Sequence, residues 1–261
     1  MTDKRALVTG AGGRLGQAMA ICLAQRGYDV AVHYASSKDG ADETATGVED
    51  YGQKAVTLQA NLLDDGETQG LFDAAVEALG GPITCLVNNA STFEHDTIET
   101  ATSESWERHM ASNFRAPFWL TQKMAGQGLP SVPDPAGEPT ATGLIVNMVD
   151  QRVRKLTPEF MTYTLAKMGL WALTQTSSRA LAPMIRVNAI GPGPTLQGGR
   201  QSPEHFAEQR AATILGRGVN PADITTALTY FLEAPAVTGQ LLCVDGGQHL
   251  AWETPDVIGV E

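Results

Sequence analysis

The chain has 261 residues, enough for one large α/β domain with a substantial buried core. A net charge of −11 without a basic cluster argues against a nucleic-acid partner, and no stretch is long and apolar enough to span a bilayer. Three scattered cysteines in apolar surroundings (Cys22, Cys85 and Cys243) and five histidines without ligand spacing point to a reduced, cytoplasmic setting and away from a metal site.

Arg5 to Thr9 reads as a short strand, and its charged approach is unlike a secretory signal. It runs into Gly10-Ala11-Gly12-Gly13-Arg14-Leu15-Gly16 and then a helix from Gln17 to Arg26, closed by Gly27. Strand, glycine turn and helix together make a phosphate-binding unit, because backbone N–H groups and a helix amino terminus meet an anion there. The spacing differs from G-x-G-x-x-G, and the same glycines also suit a turn that needs only tight backbone geometry. Asp29 to Tyr34 is a second strand. Many dinucleotide sites place an acid at its end to hold a ribose 2′-hydroxyl, but here Tyr34 is followed by Ala35-Ser36-Ser37-Lys38. An acid would repel a 2′-phosphate, whereas two hydroxyls opening a helix beside a lysine accept one, so NADP(H) is expected over NAD(H). Capping of that helix by Ser36 or Ser37 is compatible with either role.

Lys54 to Gln59 is a third strand, and Asp64 with Glu67 forms a capping box for a helix ending near Gly80-Gly81. Ile83 to Val87 is the fourth, ending in Asn88-Asn89-Ala90-Ser91-Thr92-Phe93. Small polar residues at a strand's carboxyl end line the ligand crevice of an open α/β sheet. Phe93 beyond them is either a core plug or a flat surface for an aromatic ring. A helix from Ser103 to Met124 carries Asn113, a poor helix former, in its middle. Gly126 to Thr142, with four prolines, reads as a long surface loop.

The apolar run from Gly143 to Val149 reads as a buried parallel strand that delivers Asp150 at its end. Thr157-Pro158 supplies an N-cap and a proline at the first helical position, predicting a helix start there. Tyr163 and Lys167, at i and i+4, then share one face. A free tyrosine ionises near about pH 10, and an ammonium about 4 Å away supplies on the order of 4 kcal/mol, so Lys167 can poise Tyr163 as an acid near neutral pH. A tyrosine and a lysine one turn apart are also common on plain surfaces. Strand Ile185 to Ala189 leads into Gly191-Pro192-Gly193-Pro194-Thr195, and Gln197 to Pro203 has lid-like composition within a lid region spanning 195–215. Ser202-Pro203 and Asn220-Pro221 start two helices, and Leu241 to Val244 is the last strand. Alternating βα units throughout predict a doubly wound parallel sheet with helices on both faces.

Taken together, Thr9-Gly10 through Gly16, Asn88-Asn89-Ala90, Asn113, Tyr163-x-x-x-Lys167, Pro192-Gly193 and Val244-Asp245-Gly246-Gly247 resemble the short-chain dehydrogenase/reductase family across nearly the whole chain. The resemblance implies a single Rossmann-type domain over 1–261, an NAD(P)H-dependent oxidoreductase, here NADPH by the residues after Tyr34, and a homotetramer. It implies that Tyr163 is the acid/base, that Lys167 lowers its pKa and holds the nicotinamide ribose, and that Asn113 supports a relay water. Family members usually have glycine at Arg14, glycine at Ser91 and serine at Asp150. These three changes, with Phe93, resemble the pteridine reductase branch and its bacterial dihydropteridine and dihydrofolate reductase relatives. There the arginine reaches cofactor phosphates and pterin, the phenylalanine stacks the pterin, and the aspartate joins the tyrosine and lysine. The catalytic set so implied is Asp150, Tyr163, Lys167 and Asn113. The implied cofactor residues are Gly10, Arg14, Leu15, Gly16, His33, Tyr34, Ser36, Ser37, Asn61, Leu62, Asn89, Ala90, Ser91, Met148, Tyr163, Lys167, Pro192, Gly193 and Thr195. The implied substrate residues are Arg14, Ser91, Phe93, Asp150 and Tyr163, on a pterin- or folate-like molecule.

Asp150 also makes independent chemical sense. A carbonyl oxygen only accepts hydrogen bonds, which a serine can supply, whereas a dihydropterin offers N–H donors and a ring nitrogen needing a proton. A carboxylate accepts from the donors, and its charge keeps the neighbouring tyrosine protonated. The alternative is that Asp150 only caps a loop amide. Two other functions compete: a carbonyl reductase with Asp150 incidental, and a non-catalytic NADP-binding sensor, which has no need to keep Asp150, Tyr163 and Lys167 together.

Overall fold

The computed structural model describes residues 4–197 and 202–253. Its first half alternates as the sequence predicts: β1 (Arg5–Val8), α1 (Arg14–Ala24), β2 (Asp29–Tyr34), α2 (Lys38–Glu49), β3 (Ala55–Gln59), α3 (Asp65–Leu79) and β4 (Cys85–Asn88). Next come α4 (Ser103–Met110), α5 (Ala116–Gly126), a hairpin of β5 (Ser131–Pro133) and β6 (Pro139–Ala141), β7 (Gly143–Met148) and α6 (Met161–Ala180). β8 (Ile185–Pro192), α7 (Pro203–Ala211), α8 (Pro221–Glu233) and β9 (Leu241–Val244) follow. Seven of these strands make one parallel sheet in the order β3-β2-β1-β4-β7-β8-β9.

Successive side chains of a strand face opposite ways, so each strand feeds two cores. Ala6, Val8, Val30, Val32 and Val146 pack toward Met19 and Leu23 of α1 and Leu228 and Phe231 of α8. Leu7, Ala31, Leu86 and Ile145 pack toward Phe72 of α3 and Leu120 and Met124 of α5. Burial on both faces is why these strands read as unbroken apolar runs, each buried large side chain contributing about 1.5–3 kcal/mol. The strand order reverses at β1, with β2 on one side and β4 on the other. An open α/β sheet binds ligands outside the carboxyl ends of its strands at such a reversal. The Gly10 turn and the segment after Asn88 both emerge there.

Several local expectations are corrected. The helix expected over Ser103 to Met124 is interrupted by a π-helical turn at Ala111–Arg115. Pro117 has no N–H to give the carbonyl of Asn113, so an unbroken α-helix would leave that carbonyl without its partner. Helix α6 starts at Met161 and not at Thr157-Pro158. The Thr157 hydroxyl instead accepts from Arg152 Nη1 at 3.0 Å, and Phe160 breaks the chain direction with φ 57°. Residues 126–142 are not a plain loop: β5 and β6 pair antiparallel, closed by Asp134 Oδ1, which accepts the N–H groups of Ala136 and Glu138. Helix α1 begins at Arg14, three residues before the expected Gln17. Asp64 caps α3 through the Glu67 N–H at 2.9 Å, but the Glu67 carboxylate reaches the Asn61 N–H at 2.7 Å, so the box closes three residues early. Ser202 caps α7 as expected. Of the expected lid, residues 198–201 lie outside the described residues, and α7 occupies much of the remainder.

Among the described residues no helix is long and apolar enough to cross a membrane, and no three His, Cys, Asp or Glu side chains group as metal ligands. All three cysteines are free thiols.

Candidate active site

The glycine turn is packed so tightly that side chains are excluded from it. A Cβ at Gly16 would stand 2.4 Å from the Gly10 carbonyl, and one at Gly12 would stand 2.6 Å from the Ser37 carbonyl. Gly10 itself has φ 65°, and a Cβ there would stand 3.0 Å from the Ala90 Cα. The amino end of α1 carries no side-chain cap and no acidic residue, so an anion placed there would meet its free N–H groups. His33 is 1% exposed and works beneath the turn, its Nδ1 accepting the Gly10 N–H at 3.0 Å while Nε2 donates to the Ala60 carbonyl at 3.1 Å. Burial holds this imidazole below its ordinary pKa, as an accepting Nδ1 requires.

The residues expected around a dinucleotide converge on this crevice. Arg14 is exposed at the first position of α1, with Leu15 and Gly16 behind it. Ser37 occupies the N-cap of α2 but spends no side-chain hydrogen bond on the helix. Lys38 is turned to Asp42, one helical turn on, in an exposed ion pair at 2.5 Å. Asn61 uses its Oδ1 on the Leu63 N–H, and Leu62 is buried beside it. Asn89 staples the turn, donating from Nδ2 to the Thr9 carbonyl at 2.8 Å, while the Thr9 hydroxyl accepts the Asn89 and Ala90 N–H groups. On the far side, the Gly193 N–H donates to the Val244 carbonyl, and Thr195 folds its hydroxyl back on the Gly193 carbonyl. Nothing in this cradle conflicts with a dinucleotide phosphate: it is glycine-lined, rich in N–H donors and free of carboxylates at the turn.

The catalytic candidates meet at the end of β7. Asp150 uses its two oxygens differently. Oδ1 accepts the Arg152 N–H at 2.8 Å and caps the short 3-10 turn Gln151–Val153, while Oδ2 accepts the Tyr163 hydroxyl at 2.9 Å. One side chain therefore caps the loop with one oxygen and holds the Tyr163 hydroxyl with the other. Burial and then the Asp150 charge hold the Tyr163 phenol well above its ordinary pKa, with Arg152 and the Ser91 hydroxyl pulling the other way. Burial likewise raises the Asp150 carboxyl. The Lys167 ammonium is 2% exposed, donates to the Met148 carbonyl at 2.8 Å, and sits 5.6 Å from the Tyr163 ring centre. Burial brings it down to about 8, against the pull of Asp150. Burial and the Asp150 charge thus both favour the protonated phenol, as expected of the carboxylate, with the Lys167 ammonium over the ring.

Phe93 is no core plug. It is 52% exposed, with its edge to Tyr163 (centroids 4.7 Å, 75°) and one face on Phe160 (4.4 Å, 6°). The Arg152 guanidinium covers the Phe160 ring at 4.6 Å. Asn113 is fully buried and its side chain turns to the Phe93 segment: Oδ1 accepts the Thr92 N–H at 2.9 Å and Nδ2 donates to the Thr92 carbonyl at 2.8 Å. Its side chain makes no hydrogen bond to Tyr163 or Lys167, so it anchors the loop.

Sequence reasoning missed Asp96, His109, Thr162 and Phe160. Phe160, at the N-cap of α6, gives that helix no side-chain cap. Asp96 supplies it from across the site, its carbonyl accepting the Met161 N–H at 3.2 Å and its Oδ1 accepting the Thr162 N–H at 3.1 Å. No local pattern reveals a cap that lies 66 residues from its helix.

A family profile described as Enoyl-(Acyl carrier protein) reductase matches residues 10–249. An uncharacterised oxidoreductase of Methylorubrum extorquens is 33% identical, over 95% of this chain and 98% of its own. The FolM alternative dihydrofolate reductase 1 of Brucella suis, solved in complex with NADP, is 42% identical with a TM-score of 0.89, covering 98% of each chain. The landomycin C-6 ketoreductase LanV, solved with NADP and rabelomycin, is 31% identical with a TM-score of 0.82, over 96% of this chain and 98% of its own.

Proposed function

The chain belongs to the short-chain dehydrogenase/reductase family, and we propose that within it this protein reduces dihydropteridines, free or as dihydrofolate, with NADPH. The observation that carries this reading is the Tyr163 hydroxyl donating to Asp150 Oδ2 beside the half-exposed ring of Phe93. An acid pair next to an aromatic platform suits a flat heterocycle with a C=N bond better than a simple ketone. The 42% identity to the Brucella suis FolM dihydrofolate reductase supports it.

The chain is an NADP-dependent oxidoreductase. When bound, the reduced nicotinamide supplies the hydride. Gly10 to Gly16 and the amino end of α1 would hold the phosphates, Ser37 would face the 2′-phosphate, and Lys167 would lie at the ribose. Phe93 stacks the substrate ring and fixes its height above the crevice. Asp150 accepts from ring N–H donors and keeps a proton on Tyr163. Tyr163 passes that proton to the ring nitrogen beside the carbon being reduced, so hydride and proton together saturate the C=N bond. Lys167, cationic below about 8, offsets the negative charge left behind.

A second reading, ketone reduction, is favoured by the 31% identity to the LanV ketoreductase. NADPH oxidation measured against dihydrobiopterin, dihydromonapterin, dihydrofolate and a panel of ketones separates the two. Turnover of a dihydropterin or dihydrofolate above every ketone supports the leading reading; turnover of ketones alone ends it.

The homotetramer that the family resemblance implies is supported by the edge strand β9 and helix α8, where Leu242 and Tyr230 lie exposed in one shallow groove. An open strand edge with apolar groups favours pairing with another copy. Light scattering of the full chain tests it.

A further inference from the structure

Phe93 hangs between two peptides that are gripped by residues one helical turn apart. Asn113 holds both sides of Thr92, and His109 Nε2 accepts the Glu94 N–H at 3.1 Å. His109 is 0% exposed, and its Nδ1 meets the Thr162 hydroxyl at 2.7 Å. That hydroxyl donates to Asp96 Oδ2 at 2.5 Å, and the Ser105 hydroxyl donates to the same oxygen at 3.1 Å.

The protons in this chain have one arrangement. Nε2 faces an N–H and must present its lone pair, so the neutral ring carries its proton on Nδ1. Nδ1–H then donates to Thr162, whose own proton is directed to the Asp96 carboxylate. Glu94, His109, Thr162 and Asp96 therefore form a one-way line from the Phe93 segment to the residue beside Tyr163. The His109 ring also stands edge-on to the Tyr163 ring, centroids 5.9 Å apart.

We infer that His109 is a positioning residue that sets the Phe93 ring against the Tyr163 phenol, and that a second proton on its ring releases the Phe93 segment in acid. The inference rests on the reading of Phe93 as the substrate platform. An imidazolium has N–H on both nitrogens, so Nε2–H would confront the Glu94 N–H, donor against donor, at a ring that is 0% exposed. The titratable and charged groups that face the ring are the carboxylates of Asp96 and Glu94, the Arg108 guanidinium and the Tyr163 ring, and the Ser105 carbonyl meets it as well. Burial outweighs the two carboxylates and, with Arg108, keeps the ring neutral below its ordinary value. Asp96 is 2% exposed; burial raises its carboxyl, but the Thr162 and Ser105 donors more than offset that and keep it ionised.

Nitrogen-15 spectra of uniformly labelled parent protein test the proton arrangement without any substitution. The expected result at neutral pH is an Nδ1–H tautomer for His109, with the Glu94 amide shift following the imidazole titration below pH 6.5. An Nε2–H tautomer, or a Glu94 amide indifferent to that titration, overturns the inference. Kinetics supply the second arm. His109→Ala should raise the KM for dihydrobiopterin or dihydrofolate about tenfold, the worth of one hydrogen bond, with NADPH affinity kept within about twofold. His109→Gln, whose carbonyl can take the Glu94 N–H and which does not titrate, should recover most of that KM and remove the His109 contribution to the acid limb of kcat/KM, leaving that of Asp150. An unchanged acid limb in His109→Gln, or an unchanged KM in His109→Ala, rejects the positioning role. If the parent turns over neither substrate, the functional reading fails, while the tautomer and the Glu94 amide still decide this inference.

Discussion

The Tyr163 hydroxyl donates to Asp150 Oδ2 at 2.9 Å, while the other oxygen of the same carboxyl is fixed by the Arg152 N–H at 2.8 Å. The acceptor for the phenol is thus held by its own backbone turn, and it costs little reorganisation when the proton moves. Replacing it removes one positioned acid–base partner, so Asp150→Ser should lower dihydropterin reduction about 10²–10⁴-fold. The pH profile should change with it. Asp150, after burial, is what raises the Tyr163 pKa, and it also supports the charge on Lys167. Removing it lowers both pKa values. Reduction needs a protonated phenol and a cationic lysine, so the alkaline limb should move to lower pH. A folded Asp150→Ser enzyme with parent rates and the parent limb would leave Asp150 as a loop cap only.

Phe93→Ala tests the platform. Stacking of a flat heteroaromatic ring is worth about 1–3 kcal/mol, roughly 5- to 150-fold in KM. NADPH affinity should hardly change. Because Phe93 is 52% exposed, its removal costs little beyond the ring pairs with Phe160 and Tyr163, about 0.5–1.5 kcal/mol each. Joint loss of thermal stability and cofactor binding would place Phe93 among the core residues instead.

Arg14 begins α1 in an exposed position and has no carboxylate or carbonyl partner among the described residues. Its guanidinium fork suits phosphate and pterin acceptors together. Arg14→Gly should leave the fold intact, lower dihydropterin turnover and spare any ketone activity. Unchanged dihydropterin kinetics would make the side chain a bystander.

Ser37 offers a fold-neutral test of cofactor choice, since aspartate caps a helix as well as serine does. NADPH should bind the parent more tightly than NADH does. Ser37→Asp places a carboxylate where a 2′-phosphate is expected, costing on the order of 1–4 kcal/mol in NADPH affinity and little in NADH affinity. Parallel titrations of both nucleotides read the result. Equal weakening of both would detach Ser37 from the phosphate.

The sheet was legible because burial on both faces forces long apolar runs, and the glycine turn because side chains cannot fit at Gly12 or Gly16. The pairing of Tyr163 with Lys167 followed from helical spacing alone. What escaped was non-local. Pro117 was in plain view, but its effect depends on the carbonyl four residues earlier, and so the π-helical turn at Asn113 was missed. Thr157-Pro158 is a sound local start signal that lost to Asp96, a cap from another loop. Phe160 is the one non-glycine residue with positive φ among the described residues, a conformation costing on the order of 1–3 kcal/mol. Its stacks on Phe93 and under Arg152 compensate, and Phe93 lies far from it in sequence.

The capping of α6 by Asp96 constrains how this enzyme can be recombined with its relatives. Transplanting the segment after β4 to import another specificity would bring in new residues around Phe93, but it would also replace the side chain that completes α6. A graft lacking an acid at that position would strip a cap worth about 1 kcal/mol from the helix bearing Tyr163 and Lys167, and so would disturb chemistry it never touches directly. The segment after β4 and helix α6 are exchangeable only as a pair.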